Sequence, residues 1–233
     1  MSPLIQLHDI TKTYITGETT LLALNHVNLT INEHELVAIV GESGSGKSTM
    51  LHTLGLLDKP TSGSYLLNGK EVAKLNDDEL SSLRNLKMGF AFQAFFLLPR
   101  FDAIHNVMLP LLYRGVNLNE SKERALQILD KLSMTKFKYQ RPNQMSGGQQ
   151  QRVAIARALI GNPDIVFADE PTGALDSKTS KEIIDVFIKL YEEEKKTVIM
   201  VTHDIKIALQ CRRMITVKDG KIVNDVRDEE RKA

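Results

Sequence analysis

The sequence predicts an α/β fold. A mostly parallel sheet carries helices on both faces, with an antiparallel β unit at its N-terminal end and a block of helices inserted in it. Three observations carry this. From Ile165 onward, short apolar runs alternate with helical patterns, the signature of a parallel sheet. Residues 4–10 and 22–31 instead alternate at period two about a polar turn, Thr16-Gly17-Glu18-Thr19-Thr20. From Ala94 to about Gly161 the pattern is helical throughout.

Taken in order, Leu22, Leu24, Val27, Leu29 and Ile31 mark one buried side of the second strand, with a slip near Asn25-His26. Residues 36–40 are a short apolar run, followed by a glycine loop and a helical segment, residues 50–57. Pro60-Thr61-Ser62-Gly63 signals a turn, and residues 64–67 a strand closed by Asn68-Gly69. Asn76-Asp77-Asp78-Glu79 opens a helix with acids in its first turn, and residues 88–92 return to strand. Within the helical block, Ala125, Ile128, Leu129 and Leu132 fall at i, i+3, i+4 and i+7. Val153, Ala156 and Ile160 line a later helix that stops at Gly161-Asn162-Pro163. Strands at 165–168, 197–201 and 214–217 then enclose a helix over 177–191 and a short one after Asp204. Ile183, Val186, Phe187 and Leu190 form the apolar face of the longer helix. Lys218-Asp219-Gly220-Lys221 is a hairpin turn, and residues 227–233 read as a charged, frayed tail.

A chain of 233 residues suffices for one large domain, 1–233. The balance of 30 basic against 29 acidic residues argues against a nucleic-acid binder working through a basic face. One cysteine, Cys211, excludes an internal disulfide and suits a reducing cytosol. No basic-then-apolar leader is visible, and no apolar run approaches the roughly 18 residues a bilayer span needs. A membrane role is therefore expected to come through a partner.

The chemistry centres on Gly41-Glu42-Ser43-Gly44-Ser45-Gly46-Lys47-Ser48-Thr49, a GxxxxGK[ST] loop between strand and helix. Glycines let the backbone approach phosphate, and successive N–H groups with a helix N-terminus make an anion nest. Lys47 suits the β- and γ-phosphates, and Ser48 suits Mg²⁺. Asp169 and Glu170 end one strand, His203 follows the next, and Gln93 follows residues 88–92. Ligands of open α/β sheets sit beyond the carboxyl ends of strands, so these groups are expected to share one crevice. There Asp169 could hold Mg²⁺, Glu170 could orient water and His203 could donate to a γ-phosphate oxygen. His8, His26, His34, His52 and His105 have no such context. Met145-Ser146-Gly147-Gly148-Gln149 is, by itself, a serine cap before a helix, but also an anion site. Tyr14 is expected in a loop ahead of the sheet, where an aromatic could stack on adenine.

Together, the glycine loop, Gln93, Ser146 to Gln149, Asp169-Glu170, Gly173-Ala174-Leu175-Asp176 and His203 resemble, in this order, the ATP-binding-cassette nucleotide-binding domain. The resemblance covers essentially the whole chain. It implies an ABC ATPase fold and a head-to-tail homodimer with two ATP and Mg²⁺ at the seam. One subunit's glycine loop would face the other's Ser146, Gly147, Gly148 and Gln149. It further implies Tyr14 as the adenine-stacking aromatic, Gln93 as metal- and coupling-sensing, Glu170 as the catalytic carboxylate and Asp176 as a cross-dimer contact. Metal ligands would be Ser48, Gln93 and Asp169.

Leu56-Leu57-Asp58-Lys59-Pro60-Thr61-Ser62-Gly63 and Phe92-Gln93-Ala94-Phe95-Phe96-Leu97-Leu98-Pro99 are similar to the macrolide-exporter and lipoprotein-release branch. So are the stretches beginning at Ser146 and Asp169. In that branch the ATPase is often paired with a separate membrane permease, here expected to meet residues Gln93 to Phe96. Of Phe95, Phe96 and Leu97, at least one is expected to be core. Met145 replaces the usual Leu, and Ala94, Phe95 and Phe96 replace a commoner polar-containing loop. The implied function is an ATP-driven export or extraction motor, cytoplasmic and peripheral on the inner face of the membrane. Two alternatives remain: a cassette that moves a membrane partner to control a periplasmic or cell-wall enzyme, and a nucleic-acid- or ribosome-acting cassette. One cassette, no heptad run and neutral charge disfavour the latter.

Overall fold

The structure, a computed structural model, describes residues 2–17 and 19–231. Glu18 of the expected first turn and residues 232–233 of the expected tail lie outside them. The chain opens with β1 (Pro3–Thr16) and β2 (Thr19–Asn32), a long antiparallel hairpin. With β4 (Ser62–Leu67) and β5 (Lys70–Glu71) it forms an antiparallel sheet in the order β2-β1-β4-β5.

The second sheet holds β3 (Leu36–Val40), β6 (Met88–Phe92), β7 (Ile165–Asp169), β8 (Thr197–Val201), β9 (Arg213–Lys218) and β10 (Lys221–Arg227). Its order is β10-β9-β3-β8-β7-β6. Only β10 runs antiparallel, joined to β9 by the predicted turn at Asp219-Gly220. The central strands are apolar on both faces because both are covered. In β3, Leu36, Ala38 and Val40 face one core, while Val37 and Ile39 face the other. β7 and β8 divide the same way: Val166, Ala168, Val198 and Met200 on one side, Ile165, Phe167, Ile199 and Val201 on the other.

One core lies under α1 (Lys47–Leu54), α2 (Asp77–Lys87) and the antiparallel sheet; Met50, Leu51, Leu54, Leu80, Ile5 and Tyr65 belong to it. The other packs α3 (Ala103–Tyr113), α4 (Leu118–Lys131), α5 (Gly147–Leu159) and α6 (Ser177–Glu192) on the opposite face. Two short helices, α7 (Ile205–Ala208) and α8 (Asp228–Arg231), complete the fold.

Four expectations need correction. Leu22 is 43% exposed. Asp9 and His26 adopt left-handed φ of 54° and 53°, and the β1–β2 register shifts there, so the alternation is broken before the hairpin tip. Thr19 and Thr20 already belong to β2 rather than to the turn. The helical block is smaller than 94–161. Residues 94–102 form a loop, and the C-terminal half of α5 belongs with the sheet, since a Cβ on Gly89 of β6 would lie 2.2 Å from the Ala158 carbonyl oxygen. The tail is ordered through α8: Arg227 ends β10, and Arg212 pairs with Asp228 at 3.4 Å.

Candidate functional site

The adjacent parallel strands β3, β8, β7 and β6 bring the predicted groups to one edge. The glycine loop leaves β3, Thr202 and His203 follow β8, Asp169 and Glu170 end β7, and Gln93 follows β6. Their registers align these ends, with Phe92 opposite Asp169, and Asp169 opposite Val201. The predicted crevice is thus assembled from residues 41 to 203.

The glycine loop is held open by its own geometry. Gly41, Gly44 and Gly46 have φ of 155°, 77° and 105°. A Cβ on Gly41 would meet the Val217 carbonyl oxygen at 2.2 Å, and one on Gly46 the Ala23 carbonyl oxygen at 2.6 Å. These positions need glycine for both conformation and space. Lys47 Nζ donates to the carbonyl oxygens of Gly41 and Glu42 at 2.9 and 2.6 Å, folding across the loop. Glu42, Ser43, Gly44 and Ser48 are exposed, whereas Ser45 is buried with its hydroxyl unpartnered.

The caps of the helices single out α1. A side chain caps each helix from α2 to α7: Asn76, Asp102, Asn117, Ser146, Asp176 and Asp204 in turn. The N-cap of α1 is Gly46, which offers none. The backbone N–H groups of Lys47, Ser48 and Thr49 therefore meet no side-chain acceptor, at the end where the helix dipole favours an anion. The donor set suits a polyphosphate: open N–H groups, a lysine ammonium and a serine hydroxyl.

At the end of β7, Glu170 adopts φ 45°, and its N–H donates to the Val201 carbonyl at 2.9 Å. Its carboxylate meets His203 Nδ1 at 2.8 Å and accepts from Thr202 Oγ1 at 3.4 Å. His203 is thus paired with Glu170, with its ring 74% exposed. The sequence reading places Thr202 at this strand end beside His203 but gives it no role. Its signal was a polar residue closing an apolar strand, where it also accepts the N–H of Asp204 at 3.1 Å.

Burial pushes the Asp169 carboxyl up from its ordinary value; Glu170 adds to the rise, and His52 and Lys47 oppose it. Folding therefore favours its protonated form. The cost of the ionised carboxylate is absent below the unfolded-state range and grows as pH rises through the raised value. Asp169→Asn is expected to raise the melting temperature of the ligand-free chain near neutral pH, with the gain disappearing in acid. Thermal melts against pH check both parts.

Gln93 is exposed and packs on Gly173, where a Cβ would lie 2.5 Å from its Nε2. Phe95 and Phe96 follow with φ of 57° and 47°, their carbonyls held by Arg157 at 2.7 and 2.5 Å. Phe96 is 62% exposed, while Leu97 packs against the helical core. The expectation that at least one of the trio is buried core is not met, since Phe95 and Leu97 are only half-buried and Phe96 is exposed.

Ser146 caps α5 and is reciprocated by Gln149, a capping box. Gly147 lies against Leu175, and a Cβ on Gly148 would stand 2.4 Å from Thr179 Cγ2. These glycines thus serve internal packing, and Ser146 remains exposed. Asp176 caps α6; a hydrogen bond from the Thr179 hydroxyl at 2.6 Å holds its carboxyl below the ordinary value. Tyr14 lies within β1, paired with Leu21 of β2 rather than in the expected loop, and is half-buried beside α1. Its hydroxyl donates to Asp58 Oδ2 at 2.7 Å and contacts Thr49, and Lys12 Nζ stands 5.0 Å from its ring centre. Nothing local to residue 58 announces this role.

Three of the other histidines have structural partners: His26 with Asp9 at 2.7 Å, His105 with Asp102 at 2.6 Å, and His34 with the Lys195 carbonyl.

The fold and the gathered strand ends define a P-loop nucleotide-binding domain of α/β class. The chain belongs to the ABC transporter family, whose model matches residues 24–173. It is 51% identical over 222 residues to the macrolide export ATP-binding/permease protein MacB of Chlorobaculum tepidum, covering 95% of this chain and 34% of that protein. It is 52% identical over 223 residues to the uncharacterized ABC transporter ATP-binding protein MJ0796 of Methanocaldococcus jannaschii, covering 94% and 95%. The dimeric MJ0796 structure in a post-hydrolysis state, bound to ADP and Pi, superposes with a TM-score of 0.90 at 48% identity, covering 96% of this chain and 98% of that one. The chain spans only about a third of the macrolide export relative's length. Among the described residues no helix is long and apolar enough to cross a membrane.

Proposed function

We propose that the chain is the ATP-hydrolysing motor of a membrane transporter in the exporter and extraction branch, working as a head-to-tail homodimer on the inner face of the membrane. The observation that carries this is the uncapped, glycine-framed N-terminus of α1 beside Asp169, Glu170, His203 and Gln93. The N–H groups from Gly44 to Thr49 and Lys47 bind the phosphates, and Tyr14 stacks on adenine. Ser48, Gln93 and Asp169 hold Mg²⁺, which when bound offsets phosphate charge. Glu170 orients water, and His203 leaves its Glu170 partner to donate to the γ-phosphate. Ser146, Gly147, Gly148, Gln149 and Asp176 complete the site from the second copy. The names of the export relatives favour transport over control of an enzyme. A permease meets the exposed surface from Gln93 to Phe96.

Ser146→Arg tests the shared site. It is expected to leave ATP binding to the single chain intact, and to abolish both ATP-dependent dimerisation and hydrolysis. Its local cost is that of a lost helix cap, about 1 kcal/mol. Sedimentation with and without ATP, beside phosphate release, reads both. A variant that still dimerises on ATP at parental affinity rejects the shared site.

A further inference from the structure

Tyr14 stands where the hairpin itself packs it poorly. It lies two residues from the end of β1, near the tip of the β1–β2 hairpin. Its chain neighbour Ile15 is 77% exposed, and its cross-strand partner Leu21 is 60% exposed. A ring in such surroundings changes rotamer readily unless contacts from outside the hairpin fix it.

Those contacts come from the turn that follows α1. Asp58 Oδ2 accepts from the Tyr14 hydroxyl at 2.7 Å. Its other oxygen, Oδ1, accepts from Lys12 Nζ at 2.6 Å. The same ammonium donates to the Lys59 carbonyl at 2.7 Å and stands over the Tyr14 ring, 5.0 Å from its centre. Asp58 therefore holds the ring twice, once at its hydroxyl and once through the cation on its face. A hydrogen bond to a carboxylate is stronger than one to a neutral oxygen, and a cation over a ring is attracted to its π face. With Lys12 on one face, the other is the face left for a base.

The turn is anchored independently of Tyr14. The N–H groups of Leu57 and Asp58 donate to the His52 carbonyl at 2.8 and 3.2 Å. The Thr61 N–H donates to the Thr11 carbonyl at 2.8 Å, and the Thr13 N–H to Thr61 Oγ1 at 3.0 Å, tying the turn to β1 on either side of Lys12. His52 belongs to α1, the helix whose N-terminus presents the loop's N–H groups, and the Tyr14 hydroxyl also contacts Thr49 of that helix. One helix thus sets both the phosphate cradle and the holder of the ring.

We infer that Asp58, together with Lys12, is the positioning residue that presents Tyr14 to the adenine of ATP, acting on the base half of the site and not on the phosphate half. That Tyr14 stacks on adenine rests on the nucleotide reading above; that Asp58 fixes the ring rests on the contacts just given. Without the carboxylate, Tyr14 has to be ordered at each binding event, which lowers affinity by about two- to tenfold.

Inorganic tripolyphosphate tests this, because it carries the phosphates without the base. Equilibrium titrations of the full chain with ATP and with tripolyphosphate, both with Mg²⁺, give an affinity ratio that reports the base alone. Tyr14→Ala is expected to lower that ratio by about tenfold or more, the scale of one lost aromatic–base stack. Asp58→Ala and Tyr14→Phe, which removes only the hydroxyl, are each expected to lower it by about two- to tenfold. All three variants are expected to bind tripolyphosphate within about twofold of the parent. In the Tyr14→Ala background, Asp58→Ala is expected to lower the ratio no further, since the two residues act as one unit.

A parental ratio in Asp58→Ala overturns the inference. So does an equal loss of ATP and tripolyphosphate affinity, which would make Asp58 a residue of the fold alone. A further fall of the ratio on adding Asp58→Ala to Tyr14→Ala overturns it as well. Should Asp58→Ala fail to fold, Tyr14→Phe decides, and a parental ratio there overturns it. The two claims fail separately. A parent that binds neither ATP nor tripolyphosphate sinks the nucleotide reading and this inference with it, whereas a ratio that falls in Tyr14→Ala but not in Asp58→Ala sinks this inference alone.

Discussion

Glu170→Gln is expected to reduce ATP turnover by about 10²- to 10⁴-fold while leaving ATP affinity near the parental value, and to accumulate an ATP-bound dimer. The substitution keeps the length of the side chain and an oxygen that can face His203 Nδ1 and Thr202 Oγ1, now 2.8 and 3.4 Å from the carboxylate. It keeps the backbone too, because the left-handed φ of 45° is held by the N–H bond to Val201. What it removes is the negative charge that orients water and draws its proton. Affinity survives because the phosphate contacts come from the loop after β3, not from the end of β7. Phosphate release, equilibrium nucleotide binding and sedimentation on one preparation test the three parts. Turnover at the parental rate would remove Glu170 from the chemistry.

The crevice was legible because its members close strands that are apolar throughout. Residues 36–40, 165–168 and 197–201 carry no period-two signal, since both faces of β3, β7 and β8 are covered. A polar residue directly after such a run sits at the strand's carboxyl end, whatever the strand order. The order itself was not legible. That β8 lies between β3 and β7, putting His203 beside Glu170, follows from crossovers no local pattern encodes.

Long-range side-chain pairs were hidden for the same reason. Tyr14 and Asp58 are 44 residues apart. Leu22 misled because paired bulges at Asp9 and His26 reset the register between the start of β2 and its end. The helical block was overdrawn because α5 has one continuous periodicity. Its N-terminus faces Leu175 and Thr179, while its C-terminus packs on β6.

Lys47→Ala should lower ATP affinity by about a hundredfold or more with little change in stability, and comparison with Gly46→Ala shows why the two effects can be separated. Among the described residues, Lys47 Nζ bonds only to the carbonyls of Gly41 and Glu42, contacts within its own loop. Removing them frees two oxygens that water can reach at a half-exposed edge. With a triphosphate present, the same ammonium is the one mobile cation the loop can extend onto the β- and γ-phosphates, and truncating one partner of such a charge pair costs about 2–5 kcal/mol. Gly46→Ala acts differently. Its φ of 105° and the Ala23 carbonyl 2.6 Å from a new Cβ displace the backbone that presents the N–H groups of α1. That variant is expected to lose both affinity and melting temperature, whereas Lys47→Ala loses affinity alone. Paired titrations and thermal melts therefore distinguish a charge contact from a built cradle. A Lys47→Ala chain that binds ATP like the parent would leave the cradle without its principal cation.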